Sequence, residues 1–509
     1  MDAITDNLKL REVLVKKPFR RILPLGYMLG GLSTYGDDKD APRDVGLYQI
    51  LSQTDFLREF EPSGHKINNP FVYPDRERVN PETKEKYVEQ MVRCSFAFQR
   101  IITIKQLTHL CGNDVQFEMP ESKEDKTMNE TFFKFKEGWA VKDMEIAWYE
   151  SAKSVKVTGD TAYVGYMKDG KFGWRVLSYL NGDTLYPHFD SITGELTLFA
   201  REYSDLDSEG RQLTSYVEVW DNAYLYRYKQ DKKGIPGIMN TIKKVFGLSG
   251  YTLISKESHN FPFIPVAYRR DDNGACWSFS QDSIDQYELA FSQLSQNNMA
   301  YAFPIMYMKG DDVELIGDMF GSVKALTMGA DDDAGFLQKQ DASGSFNVQL
   351  EALYRMIYEQ SFTVIPPEVK SGDLPGVAVK LLYSPAMEFA IKDAQEYNSF
   401  IDGMVRIYTH GYGTECGEIT RFNRLNIYAW ILPYTPQNDA ETVTNLATAV
   451  QNGFLSKQTA SEKIPMYSKN SEWNRIMLEL KEQQQADLLN EVLKQKEAAK
   501  IKTTQQTAS

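Results

Sequence analysis

The apolar residues of this chain change their spacing along its length, and that change limits the fold more than any single motif does. Between about 140 and 270 the spacing is two: AYVGYMK, FGWRVLSYL, ELTLFAREY and TSYVEVWDNAYLYRY alternate apolar with polar side chains, separated by DG, NG and SEG turns. Such runs pair as antiparallel strands joined by tight hairpins. Beyond 280 the spacing becomes three and four. Ile284, Tyr287, Phe291, Leu294, Asn298 and Tyr301 make one narrow stripe on a helix whose flanks are Ser, Gln, Asn, Asp and Glu. A second helix carries Leu350, Leu353, Tyr354 and Ile357 on one face. A third holds register through Met387, Ala390, Ile391, Ala394, Tyr397, Ile401, Met404, Val405 and Tyr408, a length of about 30 Å at roughly 1.5 Å per residue. The expected class is α+β.

Other segments punctuate this frame. ETKEKYVEQMVRCSFAFQRIITIKQL reads as one helix with Tyr87, Met91, Cys94, Phe98, Ile101 and Ile102 as its buried stripe. Residues 1–29 form a locally basic arm, with Lys9, Arg11, Lys16, Lys17, Arg20 and Arg21, which is either a solvated helix face or a contact for a phosphate backbone or a partner. A loop-rich insert at 304–345 holds Asp311, Asp312, Glu314, Asp318, Asp331, Asp332, Asp333 and Asp341 against Lys309, Lys324 and Lys339. RLNIYAWIL reads as a return strand, and the chain from 437 as helical, with Gly453 as a stop and Ser456 as the next N-cap. Residues 502–509 are expected to be a disordered tail.

The stretch SGDLPGVAVKLLYSPAMEFAIKDAQEYN puts Pro385 at the head of the long register. Two geometries fit. Val377 to Tyr383 is helix-compatible, which gives one helix kinked near Pro385; alternatively Pro385 occupies the first turn of a helix starting at Ser384, where it is well tolerated.

A length of 509 residues predicts two to four packing units. The formal net charge of −13 would repel a polyanion, which argues against a general DNA-coating role. Four cysteines with no CxxC pair suit a reducing compartment and exclude a disulfide framework. The polar start lacks an apolar leader and LNIYAWILPY is too short to span a bilayer, so a soluble, cytosol-made protein is expected. No complete catalytic motif is present. GYMKDGKF misses the phosphate-cradling loop because Phe172 stands where a hydroxyl is needed, and its alternation reads as a hairpin. DLDSEG begins like a calcium loop, yet Tyr216 stands at the twelfth position. The five histidines are scattered, and HGYGTECG, with His410 and Cys416, reads as a helix-ending loop.

The order of the second half resembles the portal proteins of tailed bacteriophages (Caudoviricetes). An IPVAY strand leads through DSIDQYELAFSQLSQNNMAYAF, with Ser295 and Asn298 in a spaced S-x-x-N pattern, into an MKG-type strand and a variable insert. A second helix, a Gly/Pro-containing loop, an SG-x-A-x-K-like segment, the long helix, a short strand ending near Pro433, NGFLSKQTASEKIP and SEWNRIMLELKEQ follow. The series covers about 260 to 483. One departure is Pro375, where the family commonly has Ser, which alters the local loop geometry.

The resemblance implies a portal-protein fold. Its parts would be a β-rich wing at 30–278 completed by a strand at 421–433, stem helices at 279–303 and 346–361, and an α/β clip at 304–345. A tunnel loop at 362–376, a long kinked tunnel helix at 377–411 and a helical C-terminal crown at 437–501 would follow. It implies a homo-oligomeric ring, usually of twelve subunits, at one capsid vertex of the virion, assembled in the host cytoplasm. Viral double-stranded DNA would pass through it in packaging and ejection. Partners would be the terminase packaging motor, head–tail connector proteins and the major capsid protein, with no membrane, cofactor, metal or catalytic residue. The candidate channel loop is Ile365, Pro366, Pro367, Lys370, Gly372, Asp373, Leu374, Pro375 and Gly376, with Pro385 as candidate kink and Asp311, Asp312, Asp331, Asp332 and Asp333 as clip acids. An acidic rim would guide a moving polyanion without binding it. Lys370 and Lys380 are either DNA contacts or ordinary surface lysines. The competing readings are another virion adaptor or capsid-associated protein and, on GYMKDGKF alone, a nucleotide-binding hydrolase.

Overall fold

The computed structural model describes residues 20–24, 48–79, 84–119, 126–206, 212–230, 251–300, 306–309, 314–316, 325–327, 333–336, 343–365, 376–435, 439–464 and 475–485. Its helices in chain order are α1 (Gln53–Phe60), α2 (Phe98–Cys111), α3 (Lys126–Val141), α4 (Met144–Thr158), α5 (Gln281–Ala300) and α6 (Ser343–Gln360). They continue with α7 (Gly376–Leu382), α8 (Ser384–Glu415), α9 (Ile419–Phe422), α10 (Asp439–Gln451) and α11 (Lys457–Glu462), and 475–485 is also helical. The chain divides into two compact units: Met1–Pro366 with Pro385–Tyr434, and Pro367–Ser384 with Thr435–Ser509.

In the first unit the period-two block forms two antiparallel sheets. Five strands from Thr184–Phe189 to Tyr251–Ser258 make a meander in which each pairs with the next, and Val266–Arg270, Asp160–Lys168 and Lys171–Leu177 make a three-stranded sheet. The hairpin within GYMKDGKF closes over Asp169 and Gly170, both at positive φ (52° and 75°), with Lys168 facing Lys171. That geometry matches the strand twist and needs residues that tolerate the left-handed region. Ala162, Val164, Leu177, Leu185, Phe199, Trp220 and Val266 from the two sheets share one buried cluster. In the DLDSEG turn, Leu206 and Gln212 face each other and 207–211 lie outside the described residues.

The largest core is built on α8. Ala394, Tyr397, Phe400, Ile401, Met404, Val405 and Tyr408 pack with Phe135 and Trp139 of α3, Trp148 and Val155 of α4 and Phe172 of the hairpin. Close approach is made possible by missing side chains. A Cβ on Gly165 would fall 2.3 Å from Ile407 Cγ2, and one on Gly411 would fall 2.1 Å from Phe172 Cδ2. Ile391 is the exception in the expected register, being about half exposed.

Three expectations are corrected. The segment from Glu82 to Leu107 is not one helix: Lys86–Glu89 is a strand paired with Arg76–Val79, 90–97 is neither helix nor strand, and the helix begins at Phe98. Tyr87 is exposed accordingly. HGYGTECG does not end α8 at His410, because α8 runs to Glu415 and Gly417 (φ 70°) follows it. The return strand is limited to Tyr428–Trp430, paired with Gln116–Glu118, and α9 takes up part of the stretch before it. Within the insert at 304–345, Met306–Lys309 pairs with Asp333–Phe336, and Glu314–Ile316 with Ala325–Thr327. Of the basic arm, Arg20 and Arg21 belong to a strand, Arg20–Pro24, paired with Tyr48–Ser52; Lys9, Arg11, Lys16 and Lys17 lie outside the described residues.

The second unit contains α7, α10, α11 and 475–485. Helix α10 is closed by Gly453 at φ 73°, and the Ser456 hydroxyl caps α11 by accepting from the Thr459 backbone N–H at 3.1 Å.

Candidate functional site

Helices α5 and α6 bracket the stranded insert and run antiparallel. The Ser283 hydroxyl donates to Gln360 Oε1 at 3.1 Å, while Tyr287 lies beside Tyr354 with ring centroids 6.4 Å apart. The apolar stripe of α5 is consumed within the chain. Tyr287 and Phe291 meet Phe96 at 5.4 and 5.1 Å, and Tyr287 meets Phe98 at 5.3 Å, all edge-on. Ile284 is fully buried, Asn298 is exposed, and Tyr301 lies outside the described residues. Val348 (70% exposed), Met356 (43%) and Met299 (68%) are left without cover in the single chain.

A second attachment of α5 is polar. The backbone N–H groups of Val92, Cys94 and Phe96 donate to Gln296 Oε1 (2.7 Å), Ser292 Oγ (2.9 Å) and Glu288 Oε1 (2.8 Å). Two extended residues advance about 6.6 Å and four helical residues about 6 Å, so every second N–H meets every fourth side chain. This match explains why 92–96 stays out of a helix despite its helical apolar spacing. Glu288 Oε1 also meets His65 Nδ1 at 2.6 Å, and His65 Nε2 meets the Glu59 carbonyl oxygen at 2.7 Å. Burial alone would push His65 down, but the hydrogen bond and charge of Glu288 and the Glu59 carbonyl together hold its pKa above the ordinary value. Burial pushes the Glu59 carboxyl up to about 7, although Trp277 Nε1 donates to it at 2.9 Å.

The C-terminal end of α6 leads into the candidate channel loop. The N–H of Phe362 bonds the Glu359 carbonyl at 3.2 Å, and the N–H of Thr363 bonds that of Tyr358 at 3.0 Å, which is a Schellman closure with Phe362 at φ 53°. Gln106 Nε2 donates to the Ser361 carbonyl at 2.8 Å, and Lys105 donates to that of Val364. Phe362 stacks on Phe389 of α8 at 5.1 Å and 11°, and Lys156 Nζ lies 4.9 Å from the centroid of the Phe389 ring. Lys156 is ion-paired with Asp393, both almost fully buried; burial lifts the Asp393 pKa and the ammonium offsets this only in part.

Of the candidate loop residues, Ile365 is partly exposed and Gly376 opens α7; Pro366, Pro367, Lys370, Gly372, Asp373, Leu374 and Pro375 lie outside the described residues. Asp333 begins an insert strand opposite Lys309, and Asp311, Asp312, Asp331 and Asp332 lie outside. The expected single kinked helix is two helices. Tyr383 is a turn between α7 and α8, and Pro385 sits in the first turn of α8, where its missing N–H has no intrahelical partner to lose. Sequence reasoning missed His65, Glu288 and Phe362. Glu288 did carry a signal, a carboxylate four residues after Ile284 and so on the same face of α5.

The described elements are thus an antiparallel helix pair flanking a stranded insert, and a long buried helix in an α+β body. The chain belongs to the phage portal protein family of the SPP1 Gp6-like kind, whose model matches residues 64–486, most of its length. Proteins of this family are structural virion components and not enzymes. Two solved structures are also similar. A chain in the neck of an empty gene transfer agent (GTA) particle, computed with C6 symmetry, has 11% identity and a TM-score of 0.38, over 71% of this chain and 87% of that one. A chain in the virion of a native GTA particle has 10% identity and a TM-score of 0.35, over 80% and 91%. No curated protein matches the sequence. Among the described residues no helix is long and apolar enough to cross a membrane.

Proposed function

We propose that this chain is the portal subunit of a tailed phage, and that twelve copies form the ring through which double-stranded viral DNA is packaged and ejected. The observation that carries the reading is the family match over residues 64–486. The apolar side chains of Val348, Met356 and Met299, uncovered in one chain, support it, because a neighbouring copy would bury them. In this reading α5 and α6 are the stem. The insert at 304–345 is the clip, which meets the terminase motor and later the head–tail connector, and the sheets form the wing. Residues 437–501 are the crown, and 362–376 present a loop to DNA in the channel. Negative-stain microscopy of the purified full chain is expected to show rings with a central hole. A variant lacking 366–375 is expected to assemble equally well and to yield particles that fail to package DNA. A strict monomer under all conditions, or normal packaging by the shortened chain, would overturn the ring or the loop assignment respectively.

A further inference from the structure

His65 is 1% exposed, as is its partner Glu288, and both of its ring nitrogens face acceptors. The Glu59 carbonyl oxygen beyond Nε2 can only accept, so Nε2 carries a proton. On the other side Nδ1 faces Glu288 Oε1, which also accepts from the Phe96 N–H, and the hydrogen bond and charge of that glutamate hold a proton on Nδ1 as well. The ring is therefore an imidazolium. Glu288 Oε2 is buried with no hydrogen-bond partner among the described residues. The carboxylate charge is thus compensated by His65 and one peptide N–H, and losing the imidazolium proton would leave a buried, uncompensated anion.

Three parts of the chain converge on this ion pair: the turn after α1 through His65, the extended segment 92–96 through Phe96, and α5 through Glu288. We propose that the His65–Glu288 pair is a proton-held latch that fastens α5 to the turn at 59–68 and to segment 92–96, and that it loosens when His65 loses its proton. The other charged groups around the latch are Glu59 and Asp55 of α1, Lys66 of the turn, and Asp282 and Asp285 of α5, with Lys66 ion-paired to Asp285. Glu59 and His65 act in the same direction. Both bind their protons more tightly in the folded chain than in the unfolded one, so each favours folding at low pH. His65 contributes fully below its unfolded value of 6.5, and its contribution is lost as pH rises through its higher folded value. The three rungs on Glu288, Ser292 and Gln296 should open together with the latch, because they lie on one face of α5.

Amide hydrogen exchange of the full-length protein, corrected for intrinsic rates, reads this directly. Protection of Cys94 and Phe96 is expected to be flat below the unfolded value of 6.5, to fall by up to about tenfold per pH unit between that value and the higher folded pKa of His65, and to level off above it, as for loss of one proton. The hairpin amides of 163–176, away from the buried Asp160, whose carboxyl burial pushes up to about 7, serve as the control and are expected to stay protected over the same range. In His65→Gln the protection of 92–96 is expected to be low and independent of pH, whereas Ser292→Ala should lower it yet keep the wild-type slope. Protection of 92–96 that does not change with pH in the wild type overturns the latch, even if His65→Gln fails to fold. So does a His65→Gln chain that retains the wild-type slope.

Discussion

Helices α8 and α5 are both long, and they are attached to the same unit by opposite means. Helix α8 is held by shape: nearly every residue on its inner face is apolar and buried, and Gly165 and Gly411 let a neighbour approach within reach of the backbone. Helix α5 is held by an aromatic stripe at one flank and by a ladder of peptide N–H groups and an ion pair at the other. Apolar packing is insensitive to pH and salt, whereas the latch depends on one proton. The difference assigns rigidity to α8 and adjustability to α5.

The contrast breaks most severely at the almost fully buried ion pair between α4 and α8. Lys156→Ala would leave Asp393 buried without its cation, and a loss of about 3–5 kcal/mol is expected in urea unfolding of the full chain. The paired replacement Lys156→Met with Asp393→Leu should recover most of that loss, because a packed apolar pair needs no compensation. If Lys156→Ala alone is neutral, α8 is not held the way its burial indicates.

A smaller effect tests the shape argument itself. Gly411→Ala places a methyl 2.1 Å from the Phe172 ring, so the hairpin or the helix must shift, at about 1–3 kcal/mol. On α5, Gln293→Ala removes an exposed side chain and should stay within about 0.5 kcal/mol. Equal effects at the two positions would erase the distinction between a helix fitted by shape and one tied by polar contacts.

What the sequence disclosed follows the same line. Local signals were legible where the chain obeys local rules: Asp169-Gly170 as a two-residue hairpin, Gly453 as a helix stop, Ser456 as a cap, and the register from Ala390 to Tyr408. Readings failed where tertiary partners override them. The apolar spacing of Tyr87, Met91 and Cys94 fits a helix, but Tyr87 pairs with Arg78 in a strand ladder, the Met91 N–H donates to Asp75 Oδ1 and the Cys94 N–H donates to Ser292 Oγ. Glycines in HGYGTECG looked like breakers because their use as notches depends on Phe172 and Phe422, which only the fold brings near. Pro385 admitted two geometries, and the helix bounds select the one in which it starts α8. The candidate loop itself lies mostly outside the described residues, and its anchorage at Phe362 carried no sequence signal, since an aromatic residue is not what marks a left-handed helix end.

That anchorage gives the finest test. Among the described residues three α-helices end with the same pair of hydrogen bonds, in which the residue at positive φ is Gly417 after α8, Gly453 after α10 and Phe362 after α6. The left-handed region costs an aromatic residue on the order of 1 kcal/mol that glycine does not incur. Phe362 is half exposed, so burial contributes little, and stacking on Phe389 is the interaction that offsets the strain, worth about 0.5–1.5 kcal/mol. Phe362→Gly removes both and is expected to be near neutral. Phe362→Ala loses the stack and keeps the strain, and should destabilise by about 1 kcal/mol. With Phe389→Ala already in place the stack is gone, so Phe362→Gly should then stabilise the chain by about the strain it relieves. A Phe362→Gly effect that is the same in both backgrounds would mean that the ring pair contributes nothing, and that the exit from α6 toward residue 366 is fixed by Gln106 and Lys105 alone.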